Sequence, residues 1–308
     1  MKAKRTKKAK KEQLLLIFDG SNCMSRAFFA VPPMTTSKGF HTNAIKGTIN
    51  IVCAVIRDAA PTHIALTMDR KYPTHRHNIF PDYKGNRVKD PEEQARLVPQ
   101  RRPLYDLLRA MGIRVVHKKG VEADDSVGTL ARKAAKKGWR VIIVSNDKDF
   151  GQLLDDPLIE QWKYIDKVVG YKKVNLGNCE EVYGVPPERV IDKLMMEGDK
   201  VDNIPGVKGI GLAAIRKLIA THKRIEKADL SVLNKTQRET FEASRKQLKL
   251  TRELVTIDCN IIPINLEGLR PTEPDVKLIS RICKALEAQQ IRSTVMKYVD
   301  YWNSQNRI

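Results

Sequence analysis

Hydrophobic residues in this chain arrive in short dense runs that end in acids, and these runs alternate with stretches spaced for helices. LLLIFDGSN (14–22) predicts a buried strand broken at Asp19-Gly20. Residues 43–58 set Ile45, Thr48, Ile49, Val52, Val55 and Ile56 along one side of a helix. HIALTMD (63–69) repeats the strand-then-acid pattern, and RVVHKKG (114–120) predicts a third strand. VEADDSVGTLARKAAKKG (121–138) predicts a helix closed by Gly138. WRVIIVSNDKD (139–149) predicts a fourth strand with acids at its end, and IEQWKYI (159–165) a short fifth. Beyond 175 the periodicity is helical: 185–219 predicts two helices around a glycine-rich turn, Gly206-Val207-Lys208-Gly209-Ile210-Gly211. The remainder reads as amphipathic helices with an apolar patch at 254–264. Strands alternating with helices imply an α/β fold with a mostly parallel sheet. The divisions expected are a basic disordered tail (1–12), an α/β domain (13–175) and a helical region (176–308).

One stretch does not fit that alternation. Residues 70–103 are rich in proline and charge, and a connection of that length is usually functional or disordered. Its cations, among them Arg70, Lys71, Arg76, Lys84, Arg87 and Lys89, interleave with Tyr72, Phe80 and Tyr83. Cations for phosphates with aromatics for bases suits a single-strand channel, and a solvated lid would have the same composition.

Charge sharpens the picture. The net charge is +20, and without the seven cations and one acid of residues 1–12 the body still carries +14. A field of that sign favours a phosphate backbone or an anionic membrane surface. No run approaches the ~18 apolar residues of a spanning helix, and LLLIF after the basic start is too short for a signal peptide. Nucleic acid is the expected partner, with no membrane. The tail reads equally as a solubilising or a DNA-tethering segment. Five scattered cysteines without a C-x-x-C pair fit neither a disulfide framework nor a zinc site, and imply reduced thiols in a cytoplasmic protein. The His75-x-His77 pair is compatible with a metal, but sits in a segment that reads as phosphate-facing.

Against this basic background, nine acids fall where predicted strands end or helices begin: Asp19, Asp69, Glu122, Asp124, Asp125, Asp147, Asp149, Asp199 and Asp202. Acids crowded together repel unless something cationic sits among them. Open α/β sheets bind ligands beyond the carboxyl ends of their strands, so the fold would collect seven of these acids in one crevice. Hard oxygen donors in that number suit Mg²⁺ or Mn²⁺, and two such ions ~3.5–4 Å apart suffice for phosphodiester hydrolysis. Neither a Ser-His-Asp arrangement nor a G-x-x-x-x-G-K-[ST] loop is present. The GVKGIG turn has the look of a helix-hairpin-helix element, whose backbone N–H groups face a phosphate where glycine permits close approach.

FDGSN (18–22), HRHNIFPDYKGNR (75–87), GVEADD (120–125), SNDKDFGQLL (145–154), GVPPERVIDKLMMEGDKVDNIPGVKGIG (184–211) and LTRELVTI (250–257) occur in the order of a known family. From about residue 13 to 300 the chain resembles the 5′-nuclease (flap endonuclease) family, and more closely the 5′→3′ exonuclease domain of bacterial DNA polymerase I and its stand-alone bacterial and phage relatives. The resemblance implies a PIN-like, mostly parallel sheet flanked by helices, a helical arch at about 70–103, and a helix–three-turn–helix. It implies one metal cluster from Asp19, Asp69, Glu122, Asp124 and Asp125, and a second from Asp147, Asp149, Asp199 and Asp202. Lys84 and Arg87 match the family's catalytic pair at the base of the arch, with Arg76 assisting and Tyr83 stacking on an unpaired base. Gly206, Val207, Lys208, Gly209, Ile210 and Gly211 would grip the downstream duplex and hold a K⁺ ion. Where the family commonly has a Lys-Thr pair after this turn, the chain reads Leu212-Ala213-Ala214, leaving Arg216 or Lys217 to substitute.

These features imply a monomeric, structure-specific 5′-nuclease with two or more Mg²⁺ or Mn²⁺ ions. Its substrates would be DNA flaps, nicks, 5′ ends and RNA primers in hybrids, in replication and repair. No polymerase domain follows, so a replicative polymerase or single-strand-binding protein would act in trans. The competing readings are a catalytically silent flap- or junction-binding protein and a small-domain ribonuclease.

Overall fold

The computed structural model describes residues 12–70, 73–87, 90–166 and 168–306. The basic segment 1–11 lies outside the described residues, as do Lys71, Tyr72 and Lys89 of the stretch read as an arch.

The sheet is built from β1 (Leu14–Asp19), β2 (His63–Thr67), β3 (Arg114–Val116), β4 (Arg140–Val144), β5 (Ile159–Tyr164) and β6 (Tyr171–Val174), in the order β3-β2-β1-β4-β5-β6. All pairings are parallel except that of β5 with β6. β1 lies near the middle and is buried on both faces, which is why LLLIF is continuously apolar rather than alternating. Leu15 and Ile17 point to one core, Leu16 and Phe18 to the other.

The helices are α1 (Gly20–Ala30), α2 (Asn43–Ala59), α3 (His75–Ile79), α4 (Pro91–Leu97), α5 (Arg101–Ala110), α6 (Ala123–Lys136), α7 (Cys179–Tyr183), α8 (Val190–Glu197), α9 (Leu212–Thr221), α10 (Lys235–Val255), α11 (Val276–Ala285) and α12 (Gln289–Asn306). The core beneath α6 runs on without a break into the packing of α8, α9 and α10. The opposite core is closed by α1, α2, α5, α11 and α12.

Two expectations are redrawn. Asp19-Gly20 does not merely break a strand: Asp19 caps α1, its carboxylate accepting from the Asn22 N–H at 3.0 Å. The stretch 70–103 is not one loop. Its prolines partly serve helix starts, Pro91 following the Asp90 cap of α4. Near its end Gln100 belongs to the core, its buried amide accepting from the Ala44 N–H at 2.9 Å and donating to Asn43 at 3.2 Å. The expected helical region 176–308 packs on both sides of the sheet. α11 and α12 fold back onto α5 and α2, burying Ile279, Cys283, Ile291, Val295 and Tyr298, and the Tyr298 hydroxyl donates to the Met111 carbonyl at 3.0 Å. Amphipathic spacing announces a buried face but not the surface that receives it.

Candidate metal and phosphate site

Beyond the carboxyl ends of β1, β2 and β4 the fold leaves a cavity of about 1030 Å³. Eight of the nine expected acids line it: Asp19, Asp69, Glu122, Asp124, Asp147, Asp149, Asp199 and Asp202. Asp125 does not. It points the other way from the first turn of α6, is fully buried, and takes a two-pronged hydrogen bond from Arg76 at 2.7 and 2.8 Å and another from the Asp258 N–H at 2.9 Å. Its expected place in the metal cluster is therefore filled by a structural ion pair.

Local backbone chemistry aims the others. Asp19 ends β1, and its second oxygen accepts from the Ser145 hydroxyl at 2.8 Å. Asp69, just past β2, is held by the Ala123 N–H at 2.8 Å, while its own N–H donates to the Ser21 hydroxyl at 3.0 Å. Asp147 accepts from the Asp149 N–H at 2.9 Å. Burial, reinforced by repulsion from Asp69 and Asp147, pushes Asp19 up to about 7. Burial and the charge of Asp147 push Asp149 up to about 7 as well. Asp124 is raised well above the ordinary carboxylate range by burial and by Asp19, Asp147, Asp69 and Asp149. The Asp149 Oδ1 atom is buried with no hydrogen-bond partner.

The remaining three acids have cations. Glu122 accepts from Lys84 at 2.9 Å, Arg76 at 3.2 Å and the Tyr83 hydroxyl at 3.1 Å. Asp202 accepts from Arg87, through Nε at 3.0 Å, and lies 3.8 Å from the Lys84 ammonium. Lys148 sits 3.1 Å from Asp199 and, against the opposing effect of burial, holds that carboxyl below its ordinary value.

Electrostatics thus divides the acids differently from the two clusters expected. Asp19, Asp69, Asp124, Asp147 and Asp149 face one another, whereas Glu122, Asp199 and Asp202 face cations. Among the described residues no three acidic, histidine or cysteine side chains already converge on one metal position. In kind, however, these five fit a divalent cation: hard oxygens, mutual repulsion that Lys148 only partly offsets at Asp149, and an orphaned buried acceptor on Asp149.

Two residues expected to touch nucleic acid edge the cavity but are buried in its wall and held within the protein. The Arg76 side chain is only 3% exposed and, besides its acids, donates to the Leu254 and Thr256 carbonyls at 2.9 and 2.8 Å. Tyr83 is buried, its ring 5.2 Å from that of His77, so it offers no open face for stacking on a base. Lys84 and Arg87 line the same cavity with more open side chains, 21% and 40% exposed. In the glycine-rich turn, Val207 and Ile210 are buried anchors, while Lys208, Gly209 and Gly211 are exposed. The Gly209 carbonyl accepts from the Gln237 amide at 3.2 Å, and that of Gly211 from the first turn of α9. Arg216 donates to the Gly184 carbonyl at 2.6 Å, and Lys217 is exposed. Sequence reasoning missed Lys148, whose signal was a cation between two acids, and the hydroxyls of Ser21 and Ser145, each adjoining a recognised acid motif.

Comparison with known proteins agrees with this geometry. Residues 14–184 match the N-terminal resolvase-like domain of the 5′-3′ exonuclease family, and residues 185–277 its C-terminal SAM fold. A 5′-3′ exonuclease of Aquifex aeolicus is 33% identical over 284 residues, covering 92% of this chain and 95% of that one. DNA polymerase I of Pseudomonas aeruginosa is 34% identical over 284 residues, covering 89% of this chain but only 30% of the polymerase. In three dimensions the bacteriophage T5 flap endonuclease, solved with DNA and metal ions, superposes with a TM-score of 0.66 at 19% identity, over 94% of this chain and all of that one. Human GEN1, solved with Holliday junction DNA, gives 0.64 at 13% identity over 96% of this chain and 74% of that one.

Proposed function

This chain belongs to the 5′-3′ exonuclease family, and we propose that it is a structure-specific 5′-nuclease that hydrolyses phosphodiester bonds at DNA flaps, nicks and 5′ ends, and in RNA primers paired with DNA. The observation that carries this reading is the single cavity in which eight carboxylates stand beside Lys84, Arg87 and Lys148. Asp19, Asp69, Asp124, Asp147 and Asp149 would hold Mg²⁺ or Mn²⁺, with Asp199 and Asp202 contributing from the far wall. Two such ions, when bound, supply a water acidified for attack and neutralise charge building on the phosphate and leaving oxygen.

The chain's own groups do the rest. Burial and repulsion from neighbouring carboxylates raise Asp19, Asp124 and Asp149, so a cation that offsets their charge favours their loss of protons. Lys84 and Arg87, on the cavity wall, would leave Glu122 and Asp202 for the scissile phosphate and stabilise its developing charge. Lys208, Lys217 and the open backbone at Gly211 would meet the downstream duplex through its phosphates, without reading sequence. A K⁺ ion at the 206–211 turn rests on the family resemblance, and two of the carbonyls there already accept hydrogen bonds. Action beside a replicative polymerase or a single-strand-binding protein in trans rests on the resemblance to DNA polymerase I, of which the chain spans about 30%.

The test is cleavage of a 5′-labelled double-flap DNA in Mg²⁺ and in EDTA, with an Asp124→Asn protein alongside. Metal-dependent cutting near the junction, lost in Asp124→Asn while flap binding persists, is the expected result. Tight flap binding with no cutting in Mg²⁺ or Mn²⁺ would favour a junction-binding scaffold instead.

A further inference from the structure

The turn that carries Lys84 is not fixed by the sheet. Lys84 adopts a left-handed backbone, φ +59°, a conformation unfavourable for lysine that persists only where its surroundings over-determine it. Those surroundings are the segment 199–203, which leads directly into the 206–211 turn. The Lys84 N–H donates to the Asp202 carbonyl at 2.9 Å. The Asn203 side-chain N–H donates to the Asp82 carbonyl at 2.9 Å, and the Asn86 amide donates to the Asn203 Oδ1 at 2.7 Å. Both halves of the Asn203 amide are therefore committed to residues on either side of Lys84. Asn203 is itself left-handed, φ +57°, a conformation that asparagine tolerates better than most residues. An aspartate could accept from Asn86 but not donate to Asp82.

We propose that Asn203 is a positioning residue for the nuclease reaction. Its amide clasps the 82–86 turn and so sets the Lys84 ammonium against the acidic cavity, tying that cation to the segment that leads into the 206–211 turn. Asn203 does not line the cavity, so any influence on rate passes through the residues it holds. The proposal rests on the reading of Lys84 as the cation that contacts the scissile phosphate.

The experiment compares Asn203→Gly, Asn86→Ala, Lys84→Ala and the Lys84→Ala/Asn203→Gly pair. Glycine at 203 keeps the left-handed backbone and removes only the clasp. Asn86→Ala breaks the same clasp from the other side without touching that backbone. Single-turnover cleavage of a 5′-flap DNA in Mg²⁺ is measured beside flap affinity in EDTA and Tm. Misplacing a positioned cation predicts a roughly tenfold slower Asn203→Gly, with affinity and Tm close to the parent, and a smaller loss in Asn86→Ala. The pair should be no slower than Lys84→Ala alone, because Asn203 acts through Lys84. Cleavage at the parental rate in Asn203→Gly, or losses that multiply in the pair, would overturn the clasp. A Lys84→Ala protein that cuts at full rate would overturn the assignment of Lys84 itself, an outcome visible independently of Asn203.

Discussion

Arg76 shows how far residue type and residue role can part. In sequence it belongs to a basic run beside Lys84 and Arg87, and reads as one more phosphate contact. In the fold its guanidinium is buried, and it ties the N-terminal turn of α6 to α3 and to the end of α10 through Asp125, Glu122 and two carbonyls. Removing one partner of a buried ion pair leaves the other uncompensated, so Arg76→Ala is expected to lose about 3–5 kcal/mol of unfolding free energy. Urea titration checks this. A phosphate contact would instead weaken DNA binding with the unfolding midpoint unchanged. Arg76→Lys should recover little, since an ammonium cannot make the two-pronged bond to Asp125. Tyr83→Phe is expected to cost about 1 kcal/mol, the value of a hydroxyl hydrogen bond to Glu122, and to leave flap affinity unchanged. A fall in affinity without loss of stability would restore the stacking role.

At the scale of elements, the strands and the acids at their ends were legible because both follow from short-range rules. Continuous apolar runs mark strands buried on two faces, and β1, β2 and β4 lie where those runs lie, while β5, IEQWKY, is mixed and only partly buried. β6 was missed because Tyr171–Val174 is short, carries two lysines and lies at the sheet edge. α1 was missed because its first residue is a glycine directly after an apparent strand break. The direction of Asp125 was not legible, since neighbouring acids in one helical turn look alike until a buried arginine selects one of them. The glycine-rich turn was legible as a turn, but its glycines do different work. A Cβ on Gly206 would stand 2.3 Å from the Glu197 carbonyl oxygen, and one on Gly211 would meet nothing within 4 Å. Gly206 is thus required for packing against α8, and Gly211 leaves open backbone at the start of α9. Gly206→Ala should therefore cost about 1–3 kcal/mol through backbone displacement and weaken duplex binding as the turn shifts. Gly211→Ala should leave the unfolding midpoint within about 0.5 kcal/mol. Thermal melts and duplex titrations of the two proteins would separate these outcomes, and equal losses in both would contradict the division.

For the whole molecule, the arrangement is a basic surface built around an acidic hole, and the hole sets its own pH dependence. Among the described residues no helix is long and apolar enough to cross a membrane, and the +20 net charge favours a polyanion such as a phosphate backbone. Asp19 and Asp149 move from an ordinary value of 3.8 to about 7 on folding, so between those limits the folded chain binds more protons than the unfolded one. Their contribution is fully present below pH 3.8 and is lost as pH rises through about 7. His63 and His117, whose values are lowered chiefly by burial, act in the opposite sense as pH falls through their ordinary 6.5. Asp199, held low, is ionised throughout the range from 5 to 8 and adds no slope there. A melting curve in EDTA alone therefore mixes signs, and the informative quantity is the difference made by Mg²⁺. Cation binding requires the carboxylates ionised, and at pH 8 the repulsion it relieves is complete, whereas at pH 5 protons already relieve it. The gain in Tm on replacing EDTA with Mg²⁺ should thus be small near pH 5 and grow steadily to pH 8. Asp124→Asn, which removes one carboxyl from the cavity, should shrink the Mg²⁺ gain at pH 8. A gain of equal size at every pH would mean that the acids of this cavity do not share their protons with a bound cation, and the metal reading of the site would fall with it.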